Sequence, residues 1–588
     1  MPDDFLDYFE RELSFLREMG SDFARRYPKV AGRLLLEPSK CEDPHTERLI
    51  EAFAFLCARI QRKIDDGLPE ITQSLLQVLY PQLVTPIPSV SLVKFGPNFR
   101  NLPEAGYHIP KGTELFSKPV HGVSCLFRTV YPVTLWPIEV VDARLEEPRR
   151  QVRGAQQVVR IRLRVHRGAF QGDVLRFHLN GQPQHVFPLY QLLLSHVCLM
   201  ECGAADAPAS ERLELPPGAL LPVGFAAEEG LLPAPEQMFP GYRLLLEYFT
   251  LPQKFLSFEI VGLKGKAFGE LLDLLLYLDR PAPECLVVGS DTFCLYATPV
   301  VNIFNKVAEP IRLDHESSDY RVVADLRRED GMEVLSIDDV TAVTPDSPSE
   351  VKRYSPVFGV ENGPGCEGEL PLWHMHRRPS SRPHDGGTDV FLSFSNGNVN
   401  CPVPETVLVR CSCSNRDLPA KLPFGDPAGD FQTELPAPLQ AISCLIKPTT
   451  SLRPPLDGGR QRSLISHLSL NYLSLVDTGA GALREILHLY DFCGSASTRQ
   501  EINGIESVSS RPVTRRMGAG FCRGVEVTIE FDEEKYIGSS LYLFAAVLER
   551  FLGQYVSVNS FVQVIAKTTR DNSIFKQWPP RSGDRVLL

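Results

Sequence analysis

Several groupings in this sequence carry residue types that could do chemistry. Gly363-Pro364-Gly365-Cys366-Glu367-Gly368 has the G-x-G-x-x-G spacing of a dinucleotide loop. Such a loop works by leaving a strand and opening a helix, so that backbone N–H groups meet a pyrophosphate. Proline-rich sequence surrounds this one and no strand pattern precedes it, so no nucleotide site is assigned. Gly518-Ala519-Gly520 has the wrong spacing and feeds a strand, and no G-x-x-x-x-G-K-[ST] loop occurs. Cys366, His374, His376 and His384 gather metal-ligating side chains in one stretch, and His196, Cys198 and Cys202 do so in another. Cys411 and Cys413 lie two apart in an alternating pattern, which puts both sulfurs on one strand face. None of these has the paired blocks of a zinc site, so no metal and no cofactor are assigned; the 366–384 group is the one most open to test. There is no G-x-S-x-G elbow and no H-E-x-x-H, which His315-Glu316-Ser317-Ser318-Asp319 only approaches. No catalytic residue is assigned, and the chain does not read as an enzyme.

The best anion-binding pattern is the row Arg160, Arg162 and Arg164, with Arg149, Arg150 and Arg153 before it. These arginines alternate with Val159, Ile161, Leu163 and Val165 over 159–167, which predicts a strand with one buried face. A wet strand face paired with an acidic neighbour is the first reading. A docking edge for an acidic partner or an anionic ligand is the second, because guanidinium forks pair carboxylates well. Nucleic acid comes third, since a net charge of −11 runs against general nucleic-acid binding.

A chain of 588 residues is too long for one core, and roughly three or four domains are expected. The 49 prolines and 42 glycines punctuate short extended pieces and favour a β-rich middle. No apolar run reaches the roughly 18 residues of a membrane helix. The best candidate, 271–278, is broken by Asp273. Asp3, Asp4 and Asp7 stand where a signal peptide would be basic and then apolar, so a cytoplasmic protein is expected. The fourteen scattered cysteines are then free thiols, packing as small apolar residues.

The elements that must carry any function fall into an α+β multidomain plan. An N-terminal helical module (1–88) precedes a β-rich middle (89–343, with room for two subdomains). A flexible loop or insertion (344–388), a β-rich segment (389–455) and a C-terminal α+β domain (456–588) follow. In the first module, Phe5, Phe9, Leu13 and Leu16 recur at helical spacing, with Gly20 placed to end that helix. A second helix starts at Pro44, carries Leu49, Phe53, Leu56 and Ile60 as one stripe, and ends at Gly67-Leu68-Pro69. A third runs over 70–80 to Pro81. Further on, 174–179 reads as a strand entering an Asn180-Gly181 turn and 187–197 as a helix. Leu483, Ile486, Leu487 and Tyr490 mark a helix face, and 525–531 alternates as a strand. A helix containing Leu541 to Leu552 is capped by Ser539 or Ser540, and 556–565 closes as a strand.

Particular runs of this chain resemble a known family. They are Phe5-Leu-Asp-Tyr-Phe-Glu-Arg-Glu-Leu, Asp22-Phe-Ala-Arg-Arg-Tyr-Pro, the 43–60 helix and Leu75-Leu-Gln-Val-Leu-Tyr-Pro. Segments 248–262, 298–312 and 320–328, Asn415-Arg-Asp-Leu-Pro, 463–475 and Asn559-Ser-Phe follow in order. The chain is similar to the TssF (ImpG/VasA) family of type VI secretion baseplate wedge proteins over almost its whole length, with a gap around 345–388. One departure is the missing aromatic residue expected just before Leu464. The resemblance implies a structural, non-catalytic subunit that forms wedges with TssG and a second TssF copy, alongside TssE and TssK. These would surround the VgrG spike hub and scaffold the contractile sheath and inner tube. It also turns the N-terminal apolar stripe, with Phe5, Phe9, Leu13, Leu16, Phe53 and Leu56, into an expected partner interface, with Arg160, Arg162 and Arg164 as a further candidate. The site of action would be the cytoplasmic, inner-membrane-docked baseplate.

Overall fold

The computed structural model describes residues 3–27, 29, 44–65, 69–166, 170, 172–205, 207–208, 211–233, 239–263, 270–314, 316–344, 347–357, 371–383, 385–395, 405–456, 461, 464, 479–517, 520–556, 560–570 and 573–583. The chain divides into two compact units, one of residues 1–84 with 455–468, the other of 85–454 with 469–588. The first unit thus joins the N-terminal helices to a segment from the last third of the chain. The C-terminal part is not a unit of its own, because its helices share a core with the middle of the chain.

The first unit holds helices α1 (Asp3–Arg26), α2 (Pro44–Asp65) and α3 (Pro69–Leu79). Prolines open α2 and α3, where a missing N–H costs nothing. Gly20 does not end α1. The helix runs through it to Arg26, because Met19, Phe23 and the residues between keep the helical pattern and one internal glycine costs only about 1 kcal/mol.

In the second unit a closed barrel joins Val90–Pro97, Ala297–Val301, Leu126–Thr129, Glu114–Ser117, Phe431–Gln432 and Leu439–Ile446. A five-stranded sheet has the order Leu213–Leu215, Val197–Ala204, Leu271–Leu278, Gln157–Val165, Ile138–Glu146. The apolar run 271–278 is thus the central strand of a sheet. A four-stranded sheet has the order Leu220–Val223, Ser257–Val261, Val174–Leu179, Phe293–Leu295.

An eight-stranded sheet includes Glu333–Thr344, Ser347–Pro356, Leu372–Pro379, Thr388–Ser395 and Glu405–Ser414. Two of these strands lie inside 344–388, which the sequence assigned to a loop. Their pattern is masked by prolines at the strand ends (Pro356, Pro379) and by polar residues on both faces. Residues 358–370, with the G-x-G-x-x-G run, lie outside the described residues, and so does nearly all of 463–475.

Helix α4 (Pro183–His196) begins four residues before the expected start, with Pro183 in its first turn and Pro188 inside it. Helix α5 (Pro240–Thr250) is buried along nearly its whole length. It packs against α6 (Ala480–Tyr490) and α8 (Leu541–Gly553), while α7 (Ala496–Asn503) packs on α6. Ser540 caps α8 through the Leu543 N–H at 3.1 Å. Strands Gly520–Phe531 and Ser560–Thr568 pair in parallel on either side of α8 in sequence, which makes a β-α-β crossover. The second of these strands starts later than the sequence suggested.

Two predictions follow from these placements. Nothing lies within 4 Å of a Cβ built on Gly20. Gly20→Ala should therefore raise unfolding stability by about 0.5–1 kcal/mol, whereas a left-handed helix end would make it destabilising; denaturant midpoints decide. The second concerns Glu333, which is fully buried and takes Arg453 in a fork at 2.9–3.2 Å. Burial pushes its carboxyl up, but Arg453 and Thr388 outweigh this and hold it below the ordinary 4.5. A lowered carboxylate pKa gives stability that is present above about 4.5 and lost as pH falls through the folded value. Arg453→Gln should cost about 3 kcal/mol at neutral pH. The gap to the parent should close as the pH drops through the carboxylate range, measured by urea unfolding.

Candidate partner-docking surface

Helices α1 and α2 pack on each other and are tied by the Arg17 guanidinium on Glu47, with Nε at 3.0 Å from Oε1. Helix α2 buries its small residues: Ala54 and Ala58 are fully buried, and Ile50 and Cys57 are half-buried. Leu49, Phe53, Leu56 and Ile60 point the other way and are 53–71 % exposed. At about 100° per residue these four fall within an arc of roughly 60°. On α1, Phe9, Leu13 and Leu16 are half-buried, while Phe15, Met19 and Phe23 are exposed, with Tyr27 beyond them. Phe5 lies in α1, but its side chain is outside the described ones.

The six apolar positions singled out in the sequence are therefore not one cluster. Phe9, Leu13 and Leu16 lie on the half-buried side of α1, and Phe53 and Leu56 face solvent. On α2 the buried side is taken by Ala54 and Ala58, and the large apolar residues fall on the opposite side. The exposed row Phe15, Met19, Phe23 and Tyr27 was missed in the sequence reading, although its spacing of four is plain there.

The arginine strand Gln157–Val165 lies between Leu271–Leu278 and Ile138–Glu146, so it presents no open edge. Arg160, only 6 % exposed, gives Nε to Glu146 at 2.8 Å and Nη2 to Asp142 at 3.0 Å. Arg162 forks onto Asp273 at 2.7 and 2.9 Å, and Arg164 reaches Glu139 at 3.0 Å. Arg149 bonds Glu146, and Arg150 bonds Glu214 and Glu201. This is the pairing with acidic neighbouring strands that the sequence put first. Asp273, the charge that interrupts the apolar run 271–278, is the buried partner of Arg162.

His374 and His376 share a face of one strand, with ring centroids 6.4 Å apart, while Cys366 and His384 lie outside the described residues. Burial lowers the His374 pKa. His376 stacks on Phe391 and approaches Asp319 at 3.5 Å. Cys411 and Cys413 do share a face, with sulfurs 3.4 Å apart, but they sit within an apolar core. His196 bonds Asp279, Cys198 bonds the Tyr277 carbonyl, and Cys202 is buried in the Val197–Ala204 strand. Among the described residues no three His, Cys, Asp or Glu side chains form a metal-holding group, and no described helix is long and apolar enough to cross a membrane.

The hairpin turns apolar rows outward, and the arginines of the 157–165 strand are met by carboxylates of the neighbouring strands. The whole-chain comparisons identify the family. Residues 1–585 match the family described as type VI secretion system, TssF. The chain belongs to the TssF family. It is 34 % identical to the type VI secretion system component TssF1 of Pseudomonas aeruginosa, across 99 % of both chains. Among solved structures it resembles a chain of a type VI secretion TssK-TssF-TssG baseplate subcomplex, with a TM-score of 0.75 and 25 % identity over 92 % of this chain and 99 % of that one. A chain of a type VI secretion baseplate complex has the same fold, with a TM-score of 0.62 and 24 % identity over 99 % of this chain and 100 % of that one. TssF is a baseplate component, and the family is a structural one.

The charge pairs assigned to the TssF body have a measurable consequence. Asp273→Asn should leave Arg162 without its buried carboxylate and cost about 2–3 kcal/mol, because Arg162 keeps partial access to water. Urea unfolding measures it; a loss below about 0.5 kcal/mol, in the range of a surface pair, would show that the fork does not hold the sheet.

Proposed function

We propose that this chain is a wedge subunit of the type VI secretion baseplate, and that its α1–α2 hairpin docks on partner chains. The reading is supported by the exposed row Leu49, Phe53, Leu56 and Ile60, a long apolar face of a kind that marks interaction sites. Support for TssG and TssK as partners comes from the TssK-TssF-TssG subcomplex that the fold resembles. A second copy of the chain, TssE and the VgrG hub complete the proposed surroundings, at a baseplate docked on the cytoplasmic side of the inner membrane. The subunit would there scaffold the sheath and inner tube. Its role is mechanical: identical chains meet non-identical neighbours, and sheath release is a shift between packed arrangements rather than a chemical step.

Phe9, Leu13 and Leu16, half-buried, serve this interface by holding α1 in place, and Phe53 and Leu56, exposed, serve it by contact; Phe5 is proposed as part of the same interface. Two double variants separate these roles in co-expression with the TssG of the same system. Phe53→Ser with Leu56→Ser should keep the unfolding midpoint, since both side chains are exposed, yet weaken TssG capture by about 100-fold or more. Leu13→Asp with Leu16→Asp should abolish the complex and also lower the midpoint. An intact complex at unchanged affinity in the serine variant would overturn the proposal. The mass of the parent complex should show more copies of this chain than of TssG.

A further inference from the structure

Two antiparallel strands of the C-terminal sheet, Ile505–Met517 and Gly520–Phe531, run past the end of their neighbour. The parallel strand Ser560–Thr568 first meets them at Arg523, so beyond the Thr514–Arg523 pair the described residues form an arm of two strands only. Arg511 and Arg515 share Glu526 on one face of it, at 2.6 and 3.7 Å. The register sets Thr514 opposite Arg523 and Arg516 opposite Phe521, which puts these four on the other face, and all four are exposed. Phe521 is 82 % exposed. Arg516 and Arg523 make no ion pair with a described residue, and the adjoining stretches 518–519 and 557–559 contain no carboxylate.

The other end of the same strand pair is rich in carboxylates. Glu506 lies at the start of the first strand, and Asp532, Glu533 and Glu534 follow the second, where the Asp532 N–H bonds the Gly504 carbonyl at 2.9 Å and keeps the two together. Asp532 caps the turn through the Glu534 N–H at 3.1 Å. Glu506, Glu533 and Glu534 make no ion pair with a described residue. Lys535 and Arg570 are the cations beside them; Arg484 is taken by the carbonyls of Ile505 and Glu506, and Lys567 stands in register with Glu530. Ile537, 83 % exposed, completes this end. Phe521 and Ile537 are the most exposed large apolar side chains among the described residues. One end thus offers guanidinium groups around an open aromatic ring, and the other offers carboxylates around an open aliphatic side chain.

The two ends do not meet within one chain, because the strand runs about 30 Å from Phe521 to Phe531 at the rise of an extended chain. We propose that the arm tip of one copy docks on the carboxylate-rich end of the arm in a second copy, with Phe521 packed against Ile537 and with Arg516 and Arg523 facing Glu506, Glu533 and Glu534. Complementary patches at opposite ends of one molecule make the contact heterologous, so it joins copies head to tail. Arginine and aromatic side chains are the groups that most often carry the binding energy of such contacts. The proposal rests on reading the chain as an assembly subunit present in more than one copy, and it does not involve the α1–α2 hairpin.

The test replaces Phe521 by the photo-crosslinking residue p-benzoylphenylalanine in the full-length chain, co-expressed with TssG and with a second copy carrying a different tag. Exposed Val287 is the control position. The expected product joins the two tagged copies through a peptide containing Ile537, a link that the strand length excludes within one chain. Its yield should fall at least ten-fold when both copies carry Arg516→Glu with Arg523→Glu, and likewise with Glu533→Arg and Glu534→Arg. These side chains have no ion pair to lose, so the unfolding midpoint should stay. All four changes in both copies should return most of the yield, since the charges are then exchanged. Four results would overturn the proposal: no copy-to-copy crosslink above the Val287 control, a crosslink to another protein or to lipid alone, a yield indifferent to the arginine pair, or a fourfold variant no better than the doubles. TssG capture is scored on the same samples. Intact capture without the Phe521 crosslink sinks this inference alone, while lost capture with the crosslink retained counts against the wedge reading and leaves the arm contact standing.

Discussion

The large unit depends on one ion pair that water does not reach. Lys254 is completely buried, and its ammonium meets Glu247, itself 3 % exposed, on helix α5. Burial pushes the Lys254 pKa below its ordinary value against the pull of Glu247. Such a pair is weak as net stabilisation, yet losing one partner typically costs about 3–5 kcal/mol. It therefore acts as a positional lock. The other Glu247 oxygen takes the Leu231 N–H at 2.7 Å, and Arg243, one turn earlier, holds the carbonyls of Ala226 and Ala227. One short helix thus pins the 224–231 loop on one side and the Pro252–Phe255 turn on the other.

From that lock α5 reaches the C-terminal half. Tyr242 stacks on Tyr490 of α6 with centroids 4.9 Å apart and bonds the Tyr555 hydroxyl at 2.8 Å. Tyr248 donates to Glu501 at 2.9 Å and packs near Phe544 of α8. Residues more than 240 positions apart in sequence are thereby made one core. This is why the last 120 residues do not form a separate domain, and why the barrel and the C-terminal β-α-β unit keep one geometry.

The parts of this architecture that could be read in the sequence are those with a local signature. The α2 start follows from Pro44 at the first helical position, the α8 cap from Ser540, and the 157–165 strand from strict alternation; Pro69, read as ending α2, opens α3 instead. What was not legible came from long-range choices. Gly20 reads as a helix end until the residues after it are seen to continue the same faces. The 347–356 and 372–379 strands look like loop because their polar residues are satisfied across a wide sheet, as with Arg377 on the carbonyls of Val334 and Leu335. Arg160 looks wet by alternation but is buried, since Asp142 and Glu146 of the next strand come to it. The candidate interface was half legible: an apolar stripe can be read from spacing, but which side of the helix faces inward depends on the partner helix.

That last dependence separates the two kinds of surface in this TssF chain. In the body, the arginines of the 157–165 strand are paired with carboxylates of the strands on either side. In the hairpin the order is reversed, with Ala54 and Ala58 inside and Leu49, Phe53, Leu56 and Ile60 outside. Burying alanines gives little, while each large aliphatic or aromatic side chain left in water forgoes about 1.5–3 kcal/mol. A hairpin of this composition is therefore only partly folded in its energetics: it has formed its helices and withheld its largest apolar groups. Leu49, Phe53, Leu56 and Ile60 are thus the side chains with the most still to gain from burial, and this sets the hairpin apart from the charge-paired sheets.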